Sequence, residues 1–300
     1  MRTLVAGWFS FPDMGATAGD LLARDLACNW LAEAGQAFDI ALAPPFPSGV
    51  RWEDVNPADY SHLVFVCGPF GNGPPVDEML RRFAHCDLIG LDLTMLDPLT
   101  TWNPFTSLFE RDSDRVCRPD LALAADVPPT PIVGLVLIHP QPEYGQRDLH
   151  AMANSSLEQV ASELDCARLR IDTRLDVNSE GLRSPGEVLA FFRAADVVLT
   201  TRLHGLVLAL LSGTPAVVVD PVGGGAKVSR QAEALDWPWC FPADVSSATL
   251  RLALQECLRP EARGVAHAAR QRGQLILADV HDQFVRALTV HVREVGEGRT

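Results

Sequence analysis

Val197-Val198-Leu199-Thr200-Thr201-Arg202-Leu203-His204-Gly205-Leu206-Val207-Leu208-Ala209-Leu210-Leu211-Ser212-Gly213-Thr214-Pro215-Ala216-Val217-Val218-Val219-Asp220 decides how this chain folds. Two short β-branched runs, Val197–Thr200 and Ala216–Val219, read as buried strands. The apolar stretch Leu206–Leu211 between them reads as a helix. Buried strands joined through a helix are parallel neighbours. Arg202 and His204 then fall on the loop and first turn at the carboxyl end of a strand, with the helix starting at about Gly205 or Leu206. A helix N-terminus there adds free N–H groups and a partial positive charge, a setting that suits an anion.

The same alternation extends in both directions. Toward the N-terminus, strands are expected at Leu4–Trp8, Phe38–Leu42, His62–Cys67 and Leu88–Leu91. Helices are expected at Asp20–Ala34 and Val76–Ala84. Ala125-Asp126-Val127-Pro128-Pro129-Thr130-Pro131 can continue neither a helix nor an inner strand, so it is the linker. The pattern restarts with a strand at Ile132–Ile138, a helix at Leu149–Leu164 and a strand at Ala167–Ile171. Ser184, with Pro185 and Glu187, opens a further helix through a capping box. The expected fold is α/β. It has two facing, Rossmann-like, doubly wound domains, residues 1–127 and 130–265, and a long helix over 266–295 that packs back on the N-terminal lobe.

Composition narrows the function. Apolar residues make up 47% and charged residues 21%, the balance of a globular protein with real cores. The net charge of −13 argues against a nucleic-acid surface and against anionic lipid. An anionic substrate must therefore meet a local basic pocket. Seven cysteines without a CxxC pair or a His at ligand spacing predict reduced thiols, no metal site and a cytoplasmic protein. The apolar start runs straight into Ser10-Phe11-Pro12-Asp13 and reads as a core strand rather than a leader. No run is long and apolar enough to predict a membrane-integral segment.

The single lysine of the chain, Lys227, follows Gly223-Gly224-Gly225-Ala226 after the strand that ends near Asp220. Three glycines let the backbone approach a ligand and form a nest of N–H groups, and Lys227 adds a point charge suited to a phosphate. The spacing is neither a Walker loop nor a dinucleotide fingerprint. Its value lies in its place, one strand along from Arg202 and His204.

The block Ala195–Asp220, followed by Lys227, resembles the signature of the polysaccharide pyruvyl transferase family. That signature has a hydrophobic strand, Ser or Thr, Arg-Leu-His-Gly or Ala, a helix, Gly-x-Pro, a further strand and a Lys. The first lobe is similar more loosely. Ala18-Gly19-Asp20 resembles the family's Asn-x-Gly-Asp, without the Asn. Cys67-Gly68-Pro69-Phe70-Gly71 stands where a Gly-rich turn is expected. Arg111-Asp112-Ser113 and Pro119-Asp120-Leu121-Ala122 resemble two further elements. The resemblance implies a glycosyltransferase-B-like fold and transfer of an enolpyruvyl-derived group from phosphoenolpyruvate to a sugar as a ketal, with no other cofactor. Its partners would be an anionic small-molecule donor and a sugar-type acceptor, in a monomer or a homo-oligomer.

On that reading Arg202, Lys227, Gly205 and Gly223–Gly225 hold the donor. His139 stands where an Arg is expected close after its strand, and Arg147 lies farther on. His204 is the proton donor. Asp20 is the candidate base, although a Gly-Asp before a helix is equally an N-cap. Gly19, Gly68 and Gly71 lie on the acceptor side. The competing enzyme reading is a nucleotide-sugar glycosyltransferase with Arg202 and Lys227 on a diphosphate and Glu233 or Asp236 near the ribose. A third reading is a non-catalytic sugar- or protein-binding relative.

Overall fold

The computed structural model describes residues 2–297, with side chains for all of these except Pro142 and 289–297. The chain divides into two compact units between Pro128 and Pro129, inside the proline-rich stretch. In the first unit the strands are β1 (Arg2–Ala6), β2 (Phe38–Ile40), β3 (Tyr60–Phe70), β4 (Asp87–Met95) and β5 (Ser107–Phe109), and the helices are α1 (Ala18–Glu33) and α2 (Val76–Arg82). The second unit has β6 (Ile132–Val136), β7 (Ala167–Arg170), β8 (Val197–Thr200), β9 (Ala216–Asp220) and β10 (Cys240–Pro242). Its helices are α3 (His150–Ser162), α4 (Pro185–Ala194), α5 (Leu203–Ser212), α6 (Lys227–Leu235), α7 (Ser247–Cys257) and α8 (Glu261–Glu297).

Each unit is built on one five-stranded parallel sheet. The orders are β2-β1-β3-β4-β5 and β10-β9-β8-β6-β7. Numbered from the first strand of each unit, these are the same order, 2-1-3-4-5, a doubly wound arrangement with a reversal between the first and third strands. The expected fold class holds in each unit. In the second sheet the side-chain period of two sends alternate residues of β8 to opposite faces. Val197 and Leu199 pack with Leu157, Val160, Leu250 and Leu254 of α3 and α7. Val198 packs on the other face with Phe192, Leu206 and Leu210 of α4 and α5. The first sheet is sandwiched likewise, with α2 on one face and α1 on the other.

The elements differ from expectation mainly at their ends. The three-residue strands β5 and β10 carry too little pattern to be expected, and α6 and α7 are not among the expected elements, although Val228, Ala232 and Leu235 of α6 stand at helical spacing. Helix α8 begins at Glu261 rather than Ala266 and packs against α5, α6 and α7. Helix α5 begins at Leu203, two to three residues early, with Arg202 at its N-cap. The cause is Thr200. Its hydroxyl donates to the carbonyl of Val136 at 2.8 Å and accepts from the amide of Arg202 at 2.9 Å, so the chain turns into the helix at once.

Gly205 is required by that turn. A Cβ at this position would lie 1.9 Å from Thr200 Oγ1 and 3.1 Å from Val136 Cγ1. Helix α5 therefore rests its first turn directly on β8 and β6. Gly205→Ala should destabilise the protein by about 1–3 kcal/mol, the usual cost of overpacking a tight core. Chemical denaturation would read this, and an unchanged midpoint would show that the contact relaxes freely.

Candidate active site

The reversal of strand order in the second unit lies between β6 and β8. In open α/β sheets ligands bind at such a point, beyond the carboxyl ends of the strands. A cavity of about 480 Å³ opens there. It is lined by Ile138–Gln141 after β6, Thr173 and Arg174 after β7, Arg202–His204 after β8, and Lys227 at the start of α6. Among the described residues no carboxylate lines it, while two arginines, a lysine and two histidines do. In a chain of net charge −13 this is a cationic hollow.

Arg202 is its best-defined group. The guanidinium Nη1 donates to Thr173 Oγ1 at 2.7 Å and to Asp172 Oδ1 at 3.2 Å. The side chains of the pair are only 11% and 7% exposed. Burial disfavours the Arg202 charge and the nearby Arg174 opposes it further, while Asp172 sustains it. Nε and Nη2 take no part in these bonds, so the fork keeps donors for a ligand.

Asp172 is the residue that sequence reasoning missed. Its carboxylate also accepts from the amides of Arg174 and Ser179, and His139 Nε2 lies 3.6 Å away. One buried carboxylate thus gathers the loops after β6, β7 and β8. The available signal was positional: Asp172-Thr173 directly follows the strand expected at Ala167–Ile171. A second clasp sits beside it. Thr201 Oγ1 donates to Asn154 Oδ1 and accepts from the amide of Ile138, and Asn154 Nδ2 donates back to the Ile138 carbonyl. This fixes the strand end that carries His139.

His204 is exposed at the second residue of α5 and lines the cavity. Its other flank borders an apolar recess of about 430 Å³ with Val207, Leu211 and Leu277. Lys227 reaches in from the first residue of α6, with Nζ 3.3 Å from Gln141 Oε1 and 5.9 Å from the centre of the Tyr144 ring. Arg202, His204, His139 and Lys227 therefore meet, as their strand-end positions suggest.

The glycines do other work. Gly205 packs against Thr200, as described above. Gly223 and Gly225 spend their amides on the carbonyls of Arg147 and Val222, and their own carbonyls receive the Arg147 guanidinium at 2.8 Å each. Gly223, Gly224 and Gly225 lie outside the cavity lining. The loop is organised instead by Asp220, 1% exposed, which accepts from the amides of Val222, Ala226 and Ser229 and from the Ser229 hydroxyl. Asp220 thereby seats the first turn of α6 and with it Lys227. Of the acidic residues considered for a ribose, Asp236 pairs with Arg272 at 3.0 Å, and neither it nor Glu233 lines the cavity.

In the first unit the expected residues hold the fold. Thr17 is the N-cap of α1, and Asp20 closes the capping box by accepting from the Thr17 amide and hydroxyl at 2.7 Å each. The Cys67 thiol bonds its other oxygen at 3.1 Å. Burial raises the Asp20 pKa, but these bonds and the charge of Arg111 outweigh it, so the carboxylate is a weaker base than usual. Gly19 is an ordinary helix position. Gly68, at φ +83°, makes room for Trp8, whose Cδ1 would lie 2.3 Å from a Cβ there, and Gly71 adjoins Leu96. Among the described residues no group of three or more His, Cys, Asp or Glu could hold a metal ion, and no helix is long and apolar enough to cross a membrane.

Asp172 makes the site's anchor testable. Burial pushes its pKa up, but the amides of Arg174 and Ser179 and the charges of Arg202 and His139 outweigh this and hold it below the usual carboxylate value. A pKa lowered on folding adds stability above the unfolded value of about 3.9, and that stability is lost as pH falls through the folded value. Asp172→Asn should therefore cost about 1–3 kcal/mol at pH 7 and flatten the loss of stability below about pH 4. Parallel acid limbs for the two proteins would refute the linkage.

Residues 89–221 match the family model of polysaccharide pyruvyl transferase. No curated protein matches significantly. Among solved structures, spinosyn rhamnosyltransferase SpnG with thymidine diphosphate is 13% identical, at 93% coverage of this chain, 96% of that one and a TM-score of 0.35. The UDP-GlcNAc 2-epimerase of Methanocaldococcus jannaschii is 8% identical, at 92% and 99% coverage and a TM-score of 0.33. The matched segment runs from β4 to the end of β9 and encloses Asp172, Arg202 and His204, so over those residues the chain is similar to the polysaccharide pyruvyl transferase family.

Proposed function

We propose that the chain is a pyruvyl transferase that takes phosphoenolpyruvate as donor and a sugar as acceptor. The observation that carries this is the cavity beyond β6 and β8, where Arg202, Lys227 and His204 converge with no carboxylate in the lining. Phosphoenolpyruvate brings a carboxylate and a phosphate on a three-carbon frame, and two separate cations suit two separate anionic groups. Arg202 offers a planar fork for the carboxylate, and Lys227 a point charge for the phosphate.

The chemistry needs a proton at the methylene carbon. His204 supplies it, and that carbon becomes a methyl group while C2 becomes electrophilic. One acceptor hydroxyl adds to C2. Phosphate then leaves with the electron pair of its bond to C2, and a second hydroxyl closes the ketal. Of the two hydroxyl protons released, one restores His204 and one goes to phosphate. Arg202 and Lys227 stabilise charge on the departing group without rearranging, since Asp172 and Asp220 already hold their loops.

Phosphoenolpyruvate at about one hundred times its Kd should stabilise the native protein by about 2.7 kcal/mol, which a melting curve reads as a raised Tm. Arg202→Ala should abolish that shift. His204→Gln should retain it and lose about 10²- to 10⁴-fold in kcat. A fully active His204→Gln enzyme would remove the proton-donor role. A shift with UDP or GDP and none with phosphoenolpyruvate would favour a nucleotide-sugar glycosyltransferase instead.

A further inference from the structure

The first unit contains a second cavity, of about 610 Å³, that the proposed reaction does not use. Its origin is topological. Helix α1 covers β3 on its face, but β4 passes to β5 through a loop with no helix. The face above β4 and β5 is closed only by a short 3-10 turn, Leu121–Ala124. Trp30 and Leu31 of α1, Leu91 of β4 and Phe109 of β5 form apolar walls. Trp30 and Phe109 remain 43% and 58% exposed.

Asp92 also lines this cavity. It is 5% exposed and adopts φ +59°, unusual for a residue inside a strand. Cys67, its neighbour across β3 and β4, adopts φ +54°. These paired irregularities interrupt both strands at one level, and the side chain following Leu91 remains on the cavity face. The Leu121 amide favours the ionised carboxylate, yet Oδ2 has no hydrogen-bond partner. Buried polar atoms are nearly always paired, so an orphan oxygen in a cavity points to a missing donor.

The local charges show what kind of donor. Glu110, at the same cavity, is already held by Arg115 and Arg118. Arg111 is spent on Asp112, Asp120 and the Thr94 hydroxyl. Burial and the charge of Asp120 both work against the Asp92 anion, which a ligand cation would relieve. The exposed rings of Trp30 and Phe109 also attract cations. We propose that this cavity binds an organic ammonium, with its alkyl or aryl body against Trp30, Leu31 and Phe109 and its ammonium on Asp92.

The test is calorimetry at pH 7 with 2-phenylethylammonium and its neutral analogue 2-phenylethanol. The ammonium should bind about tenfold more tightly or better. Asp92→Asn should bring the two compounds to similar affinity, and Phe109→Ser, at an exposed position, should weaken both. Equal affinities in the unaltered protein, a preference for the alcohol, or an Asp92→Asn variant that keeps the ammonium preference would each overturn the proposal. If Asp92→Asn fails to fold, the ammonium preference and its weakening in Phe109→Ser decide the matter. A concentration-dependent dimer that Phe109→Ser dissociates, with neither compound bound, would make the apolar wall a subunit contact and also overturn it.

Discussion

The hydroxyl of Thr200 is the contact on which the site depends. At the end of β8 it bonds the β6 carbonyl of Val136 and the amide of Arg202, and Gly205 packs against it from the first turn of α5. Three constraints follow from one small side chain. The strand ends there, the helix starts three residues on, and β6 and β8 stay paired up to the level where the sheet order reverses. Arg202 and His204 then project from a turn with almost no conformational freedom, the preorganisation that an electrostatic site needs. Thr201 performs the matching task for the β6 loop through Asn154.

Placing a buried arginine in an acidic protein raises an electrostatic problem that Asp172 resolves. A guanidinium taken from water loses solvation, and an unpaired one is costly. Asp172 restores that loss on one edge of Arg202, and backbone amides keep the carboxylate ionised. The negative charge sits behind the cavity wall rather than in it. A ligand therefore meets cations at the surface of the hollow, while the carboxylates of Asp172 and Asp220 face the loops that they hold together.

What was legible in the sequence follows from how local each signal is. Val197–Thr200 is found where expected because a run of β-branched apolar residues leaves little else to form. The capping box at Ser184 and Glu187 is equally local. Strand β5 and helix α7 were not legible, since a three-residue edge strand and a helix with modest patterning are settled by what covers them. In the site, the ends of β6, β8 and β9 gave up His139, Arg202, His204 and Lys227. Asp172 was hidden because an Asp before a turn looks like turn chemistry, and its side-chain partners Arg202 and His139 lie 30 residues or more along the chain. The glycines misled in the opposite direction. Permissive φ and open space suggest a ligand, but Gly205 and Gly68 are there because a protein side chain already fills that space.

The two units make the same point by contrast, because they share one strand order and differ at the reversal. In the second unit the ends of β6 and β8 frame an open cationic hollow. In the first, Trp8 follows β1 and lies against Gly68 in β3, with its indole N–H bonded to the Pro69 carbonyl at 3.0 Å. The Asp20 carboxylate near that strand is closed off by Thr17 and Cys67. An indole ring displaces the volume of a small ligand and satisfies the backbone group such a ligand would meet. The fold therefore offers the same crevice twice, and side chains decide which copy stays available. The crevice of the second unit has unspent donors and room to use them, whereas the first has committed both to its own packing.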